Sequence, residues 1–126
     1  IFFADEYYGY DDGIYAALRL ARIVTEGGKK LSSMIDALPK IFASPELRIP
    51  CADDRKFELV EVLKKQFPDA ITLDGVRVTT PDGWWLIRAS NTQAALSARA
   101  EASSADCLTR VMHAMHTAMS GTGVKI

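Results

Sequence analysis

A polar segment that follows an apolar, tryptophan-containing stretch has the residue types best suited to bind an anion. The apolar stretch Trp84–Ile87 is followed by Arg88, Ser90, Asn91 and Thr92. A guanidinium group presents a planar pair of donors that matches two phosphate oxygens. Hydroxyl, carboxamide and backbone N–H groups in a tight turn add further donors. The residue types therefore fit two interpretations, a phosphate-binding loop and a polar β-turn with a solvated arginine.

The composition restricts the class of protein and its partners. The 126 residues are 48% hydrophobic and 25% charged, which is typical of about one globular domain. A net charge of −1 gives no electrostatic signature for nucleic acid or for an anionic membrane, so we expect neither as a partner. No apolar run approaches the roughly 18 residues of a membrane span. Cys51 and Cys107 form neither a C-x-x-C pair nor a disulfide framework, which predicts a reducing compartment, the cytoplasm.

The first part of the chain is predicted to be mostly helical. Apolar residues at helical spacing predict helices over residues 13–25 and 31–38, the first ended by glycines and the second by proline. Asp11 or Asp12 is expected to cap the first of these helices. Residues 41–45 show no strong periodicity and are interpreted as a linker, the best candidate for a domain boundary.

Beyond this linker the pattern changes to a strand, a helix, four strands and a final helix. The paired residues Asp53-Asp54 and Ser103-Ser104 are predicted to cap the two helices. Asp74-Gly75 is a signal for a two-residue hairpin turn within an antiparallel meander. The predicted elements are a strand at 46–52, a helix at 55–67, strands at 70–73, 76–80, 84–88 and 95–102, and a helix at 105–119. This order predicts an α+β fold in which two helices cover one face of an antiparallel sheet.

Each of the two later helices has an apolar face that is expected to pack on the sheet. In the helix at 55–67 this face includes Phe57, Val60 and Leu63, whereas Lys56 and the other charged side chains lie mostly elsewhere. In the last helix the apolar stripe consists of Leu108, Val111, Met112, Met115 and Met119.

Three further groups of residues could do chemistry, and for each a structural role is the better interpretation. His113 and His116 have a spacing that could ligate a metal, but with no third ligand nearby in sequence we expect surface histidines. The pair Asp11-Asp12 could bind Mg²⁺, but two acids before a helix are more often caps. The aromatic group Tyr7–Tyr10 could stack on a sugar or base, and we expect it to pack on an apolar edge instead. Nothing supplies a nucleophile, a base and a metal together, so the residues predict binding rather than catalysis.

Several stretches, in order along nearly the whole chain, resemble one enzyme family. They are Tyr8–Leu20, Ser44–Pro50, Asp74–Val78, Gly83–Thr92 and Arg99–Ala102. The sequence resembles the end of the third domain and the fourth, C-terminal domain of the phosphomannomutase/phosphoglucomutase family, the α-D-phosphohexomutases. The resemblance assigns residues 1–43 to a remnant of the third domain and residues 44–126 to the fourth. It also implies a strand-helix-four-strand-helix fold similar to that of the TATA-binding protein.

The resemblance implies a specific activity for the full-length protein. Enzymes of this family interconvert hexose 1-phosphates and 6-phosphates of mannose and glucose through a phosphoserine and a bisphosphorylated sugar, with the help of Mg²⁺. The fourth-domain loop would bind the phosphate that is not being transferred, through Arg88, Ser90, Asn91 and Thr92. A loop that contacts only a phosphate can accept either end of the sugar. Because the phosphoserine, the metal loop and the sugar-reading loop belong upstream, we expect this fragment to be inactive alone and the upstream domains to be its partners.

The sequence departs from the family pattern near the loop, and alternatives stay open. The family loop often continues with Glu-Pro, where this chain has Gln93-Ala94. Asn91 stands where phosphoglucosamine mutases typically have glycine, which favours the mannose/glucose branch. The alternatives are a phosphoglucosamine mutase and a phosphosugar-binding module without catalysis. The chain begins at Ile1 without a methionine, so we expect it to be a piece of a longer protein.

Overall fold

The computed structural model describes residues 2–123, within which the chain forms two compact units that divide after Pro39. The first unit contains helices α1 (Gly13–Gly27) and α2 (Leu31–Asp36). The second unit contains β1 (Phe42–Ala43), β2 (Leu47–Pro50), α3 (Asp53–Gln66), β3 (Val76–Thr80), β4 (Gly83–Ala89), β5 (Ala95–Ala102) and α4 (Ala105–Ser120). The predicted α+β class is confirmed.

Helix α1 in the first unit has the predicted caps but no buried face. The Asp12 carboxylate accepts the N–H of Tyr15 at 2.9 Å, and Gly28 ends the helix with a φ of 59°. No residue of α1 or α2 is buried, and Ile14 and Leu18 on the apolar stripe are 78% and 63% exposed. This follows from size, because units below about 40 residues do not enclose a hydrophobic core of their own.

The sheet of the second unit is organised around β5. Strands β1 and β2 both pair antiparallel with one edge of β5, β4 pairs with the other edge, and β3 pairs with β4. Alternate β5 residues are buried, namely Leu96, Ala98, Ala100 and Ala102. Three of these are alanines, and their small side chains let α4 approach the centre of the sheet. The opposite side, which we call the outer face, includes Ser97 and Arg99.

The core lies between the inner face of the sheet and the two helices. Trp85 and Ile87 of β4 are at most 1% exposed, and Trp85 packs edge-to-face on Phe67 with ring centroids 5.2 Å apart. The largest side chains that are fully buried are Trp85, Leu63, Ile87, Leu96, Met115, Met119, Val76 and Val111. Both helices therefore cover one face of the sheet, as the order of elements predicted.

The strand predicted at 70–73 is not formed. Only Ile71 pairs with the sheet, through a single bridge in which Ile71 and Arg77 exchange N–H···O bonds of 3.0 and 2.9 Å. The chain between these two residues reverses through a wide loop rather than through the predicted two-residue turn at Asp74-Gly75. Leu73 is consequently 97% exposed and has no strand to pair with.

The segment predicted as a linker, residues 41–45, contains a short strand. Phe42 and Ala43 form β1 and pair with the end of β5. The Ser44 N–H donates to the Ala100 carbonyl at 2.9 Å, and the Ser44 hydroxyl accepts the Ala100 N–H at 3.0 Å. A serine hydroxyl that substitutes for a backbone carbonyl thus extends the pairing without any periodic pattern in the sequence.

Helix α3 differs from its prediction at its beginning and on its buried face. It starts at Asp53 after Ala52, which makes no side-chain capping bond, so Asp53-Asp54 lies inside the first turn and does not cap the helix. Carboxylates there still complement the positive end of the helix dipole. Lys56 is only 4% exposed, whereas Phe57 is 54% exposed. The reason is spacing, because Lys56 lies four and seven residues before buried Val60 and Leu63 on the same helical face.

Helix α4 begins as predicted at a serine cap. The Ser104 hydroxyl accepts the N–H of Cys107 at 3.1 Å. We expect Ser104→Ala to lower the free energy of unfolding by about 1 kcal/mol, because the first turn would lose that acceptor. Ser103→Ala is the control, since the Ser103 hydroxyl caps no N–H, and it should change stability by less than about 0.5 kcal/mol. Equal losses in urea denaturation of the two variants would contradict the assignment of the cap.

Candidate functional site

The predicted site residues lie at the end of β4 and in the five-residue loop, 90–94, that leads into β5. The Ser90 N–H donates to the Ala95 carbonyl at 3.0 Å, and the Ala95 N–H donates to the Gln93 carbonyl at 2.8 Å. Among residues 2–123 no residue other than glycine has a positive φ. The loop therefore reverses the chain without backbone strain.

The Ser90 side chain organises the interior of this loop. Its Oγ accepts the backbone N–H of Gln93 at 3.2 Å and that of Thr92, more weakly, at 3.4 Å. This is a serine-centred turn, in which the hydroxyl takes the place of a backbone acceptor. Because the oxygen accepts within the loop, the hydroxyl proton is the group with which Ser90 can bind a ligand. Asn91 and Thr92 are exposed at the tip and can add donors to the same anion.

The Arg88 guanidinium lies between two carboxylates. Its Nη1 donates to Oδ2 of Asp74 at 3.1 Å, and its Nη2 lies 3.9 Å from Oε1 of Glu46. The Arg88 side chain is 46% exposed. Exposed ion pairs of this kind contribute roughly 0–1 kcal/mol, so a phosphate dianion can replace one of the carboxylates at small cost. Sequence reasoning did not anticipate either carboxylate.

All four predicted residues contribute to one open cavity of about 460 Å³, which we call the loop cavity. It is lined by Glu46, Arg48, Asp74, Arg88, Ala89, Ser90, Asn91, Thr92, Gln93, Ala95, Leu96 and Ser97. Hydroxyl, carboxamide and guanidinium groups therefore meet in a space that is large enough for a phosphate and part of a sugar. Its polar lining favours a charged, hydrogen-bonding ligand.

Glu46 is the residue of the cavity whose titration is most clearly affected by its neighbours. A hydrogen bond of 2.6 Å from the Ser97 hydroxyl, followed by the charges of Arg48 and Arg88, holds the pKa of Glu46 below its usual range. The carboxylate is therefore ionised at neutral pH and acts as an acceptor only. It has the contacts that a bound anion would have.

A buried lysine beneath the loop was missed because charged residues of α3 were expected at the surface. The Lys56 ammonium donates to Oδ1 of Asp53 at 2.6 Å and to the backbone carbonyl of Gln93 at 3.0 Å. The Cys51 N–H donates to the Ala94 carbonyl at 3.0 Å. The loop is thus held from below by Cys51, which follows β2, and by Lys56 in the first turn of α3. The helical spacing of Lys56 with Val60 was the one signal in the sequence.

The aromatic residues before α1 pack on one another. Tyr7 stacks on Tyr15 with centroids 4.0 Å apart, and Tyr8 stacks on Tyr10 at 5.9 Å. The Tyr7 hydroxyl donates to Asp12 at 2.7 Å, which raises the pKa of Tyr7 and supports the ionised carboxylate that caps α1. The ring contacts and the helix cap together give these aromatic side chains a structural role.

The remaining candidate sites do not come together. His113 is exposed and His116 half-buried on α4. Within residues 2–123 no three or more His, Cys, Asp or Glu side chains are grouped so that they could hold a metal ion. Cys51 and Cys107 are both free thiols, and burial raises the pKa of Cys51. Across the same residues, every helix is too short or too polar to cross a membrane.

Comparison with known protein families gives two matches that together cover most of the chain. The family profile of the phosphoglucomutase/phosphomannomutase C-terminal domain matches residues 46–118. The profile of the phosphoglucomutase/phosphomannomutase alpha/beta/alpha domain III matches residues 1–42. Both matches follow the order of the two units.

Several curated proteins and solved structures are similar to the chain. A phosphomannomutase/phosphoglucomutase from Pseudomonas syringae is 40% identical over 120 residues, which is 92% of this chain and 26% of that protein. A probable phosphoglucosamine mutase from Methanosarcina barkeri is 42% identical over 94 residues, 72% of this chain and 21% of the relative. The X-ray structure of a phosphoglucomutase/phosphomannomutase family protein from Burkholderia thailandensis superposes with a TM-score of 0.81 at 32% identity, over 97% of this chain and 26% of that one. The chain therefore spans about a quarter of the length of these proteins.

Proposed function

Because this chain belongs to the phosphoglucomutase/phosphomannomutase family and corresponds to its C-terminal portion, we propose that it forms the phosphate-binding wall of a phosphohexomutase active site. The observation that supports the proposal is the loop cavity, in which Arg88, Ser90, Asn91 and Thr92 line one space. The loop offers several hydrogen-bond donors to an anion, so its contribution would be to bind and orient the substrate.

The chemistry of the loop suits a substrate that must be bound in two orientations. A phosphohexomutase transfers a phosphoryl group at one end of a hexose and then at the other, so the sugar is bound both ways round. Side chains that contact only phosphate oxygens treat both orientations alike. Arg88 provides the planar pair of donors, and the Ser90, Asn91 and Thr92 side chains complete the donors around the anion. Fixed donors of this kind would hold the phosphate that is not being transferred and thereby orient the reacting end of the sugar, without taking part in bond making.

The full-length protein would interconvert the 1-phosphates and 6-phosphates of mannose or glucose through a phosphoserine and a bisphosphorylated sugar. Mg²⁺ would assist the transfer. Among residues 2–123 no three His, Cys, Asp or Glu side chains are grouped so that they could hold a metal ion. Phosphoserine, metal ligands and sugar-reading residues would come from upstream domains of the same protein.

We further propose that residues 1–43 are the end of a third domain and residues 44–126 a fourth domain. Support comes from the family matches at 1–42 and 46–118. The division of the chain into compact units lies slightly earlier, after Pro39, because Phe42 and Ala43 pair with β5. The exposed apolar stripe of α1 fits a helix that packs on other parts of a larger domain. The two free cysteines are compatible with the cytoplasm as the compartment.

Titration of this chain with inorganic phosphate or glucose 1-phosphate tests the phosphate site. We expect the amide signals of residues 88–93 to shift in ¹H–¹⁵N spectra, and Arg88→Gln to weaken the affinity by roughly tenfold to a hundredfold, the effect of losing one charged hydrogen bond. Arg99→Gln is the matched control, since Arg99 lies on the outer face of β5 but does not line the loop cavity. Shifts confined to other residues, or equal effects of the two variants, would show that the loop is not the site.

A second candidate is phosphoglucosamine mutase activity of the parent protein. It is favoured by the 42% identity with the Methanosarcina relative of that name. Asn91 at the loop tip, where phosphoglucosamine mutases typically have glycine, favours the mannose/glucose activity. Assays of the full-length protein with glucose 1-phosphate, mannose 1-phosphate and glucosamine 1-phosphate, compared by kcat/KM, would distinguish the two.

A further inference from the structure

Arg48, which lies outside the Arg-x-Ser-Asn-Thr string, is the second guanidinium of the loop cavity. It is on β2, where it pairs with Ser97 of β5, and Ser97 pairs in turn with Arg88 of β4. The three residues form one row across three strands, so the Cα atoms of the arginines are about 10 Å apart, or two strand spacings. Two arginine side chains at that distance can reach a single anion above the residue between them.

The two arginines already share an anion, the carboxylate of Glu46. The Arg48 Nη2 lies 3.7 Å from Glu46 Oε2, and the Arg88 Nη2 lies 3.9 Å from Glu46 Oε1. The Ser97 hydroxyl donates to Oε1 at 2.6 Å. A carboxylate contacted by two guanidinium groups and a hydroxyl has the environment that a phosphate requires. The row therefore has the geometry of an anion site, which an internal side chain occupies.

Arg48 is also joined directly to the loop. Its Nη1 donates to Oε1 of Gln93 at 2.6 Å. This partner is a neutral carboxamide, so the bond orients the guanidinium toward the loop without cancelling its charge. The Gln93 backbone N–H is in turn bonded to Ser90 Oγ. Arg48 is thus connected through one residue to the serine that organises the loop.

Other nearby cations do not have these properties. Arg99 is on the same outer face and lines a neighbouring pocket with Glu46, Arg88 and Ser97, but it does not line the loop cavity. Its guanidinium pairs with Oε1 of Glu101 at 2.9 Å. Lys56 is buried, and its ammonium is bonded to Asp53 and to the Gln93 carbonyl. Among the described residues that line this cavity, the arginines are Arg48 and Arg88.

We propose that Arg48 is a further phosphate ligand, which binds the same phosphate monoester as Arg88. The phosphate would displace the Glu46 carboxylate from the two guanidinium groups. Two guanidinium groups match the two negative charges of a phosphate dianion. The inference rests on the proposed function, because it adds a residue to that site. It also assigns to β2, at the entry to the second unit, a part in substrate binding.

The test uses this chain with inorganic phosphate as the probe at constant ionic strength. We expect Arg48→Gln to raise the Kd, read from the amide shifts of residues 89–95, about fivefold to tenfold. Because the Arg48 side chain is 62% exposed, this variant should fold, which the dispersion of its spectrum checks. Arg99→Gln removes the same charge from the same face and should change the Kd less than about twofold.

The outcomes separate the inference from the proposed function. If the unmodified chain binds phosphate through the loop but Arg48→Gln has an unchanged Kd, Arg48 is not a ligand. Equal weakening by Arg48→Gln and Arg99→Gln would also overturn the inference, because it would show a general effect of charge. If the unmodified chain shows no shifts in residues 88–95, the proposed function itself fails, and the inference with it.

Discussion

Gly75→Ala is expected to lower the free energy of unfolding of the second unit by about 2–5 kcal/mol, the sum of backbone strain and overpacking. Gly75 has a φ of 84°, which residues with a Cβ rarely adopt. A Cβ built there overlaps the backbone carbonyl of Ile87 and lies 2.7 Å from the Cβ of Arg88. The Ile87 carbonyl belongs to β4, which is paired on both sides and is therefore held in position. The wide turn before β3 would have to move instead.

The same substitution should also weaken phosphate binding, because the added methyl group pushes on Arg88 itself. Urea denaturation and the phosphate titration measure the two effects. Gly121→Ala is the control, since its φ is −63° and its Cβ would meet the flexible end of the Gln66 side chain at 3.3 Å and the Ala118 carbonyl at 3.4 Å, with no overlap. It should change stability by less than about 0.5 kcal/mol. A Gly75→Ala protein as stable as the control would mean that the turn relaxes freely.

Trp85→Ala is expected to lower the free energy of unfolding by about 3–5 kcal/mol. Trp85 is 1% exposed on the inner face of β4 and packs against Phe67, so its removal leaves a cavity at the centre of the core. Trp84, the preceding residue, lies on the outer face with the Arg77 guanidinium 4.5 Å from its ring centroid. Trp84→Ala should therefore cost only about 1 kcal/mol.

The two tryptophan variants form a matched pair, because they remove the same side chain from adjacent positions of one strand. Urea denaturation followed by circular dichroism gives both free energies, and similar m-values would show that the comparison is valid. A larger loss of unfolding free energy for Trp84→Ala than for Trp85→Ala would mean that Trp84, and not Trp85, faces the core. It would then contradict the placement of Arg88 on the outer face, which follows the same alternation.

The parts of the fold that sequence predicted best are those with strong local signals. The predicted strand at 95–102 has its observed bounds, since alternation along β5 is regular and turn residues lie on both sides. One residue after the end of β5 comes Ser104, and the preference of serine for the cap position locates the start of α4. Residues 70–73 show the limit of this reasoning. Their apolar character suits a strand, but whether a strand forms depends on the length of the turn to Arg77, which no local pattern specifies.

The candidate site was predicted only as far as it is continuous in sequence. Arg88 to Thr92 could be recognised as one string of donors. Arg48 and Glu46 reach the same cavity because β2 pairs with β5 in a particular register, and Asp74 because it precedes β3. Register is decided by the packing of whole strands, so the sequence around Arg48 does not reveal its neighbours.

Lys56 was predicted on the wrong side of its helix for a related reason. A charged side chain is almost always assigned to solvent, and that rule fails when a carbonyl and a carboxylate are both within reach of its charged end. The Gln93 carbonyl is such a partner, but it is contributed from 37 residues away. Only the fold brings the two together.

The ammonium of Lys56 has a thermodynamic consequence for the loop above it. A free five-residue loop would lose conformational entropy on closing around an anion, and that loss would reduce the affinity. Here Lys56 and the Cys51 N–H hold the Gln93 and Ala94 carbonyls in place, so the ordering takes place when the domain folds. The loop is preorganised, so a phosphate bound at the proposed site would meet donors whose positions are already set. Folding of helix α3 and the proposed affinity for phosphate would thereby be coupled in one free-energy cycle.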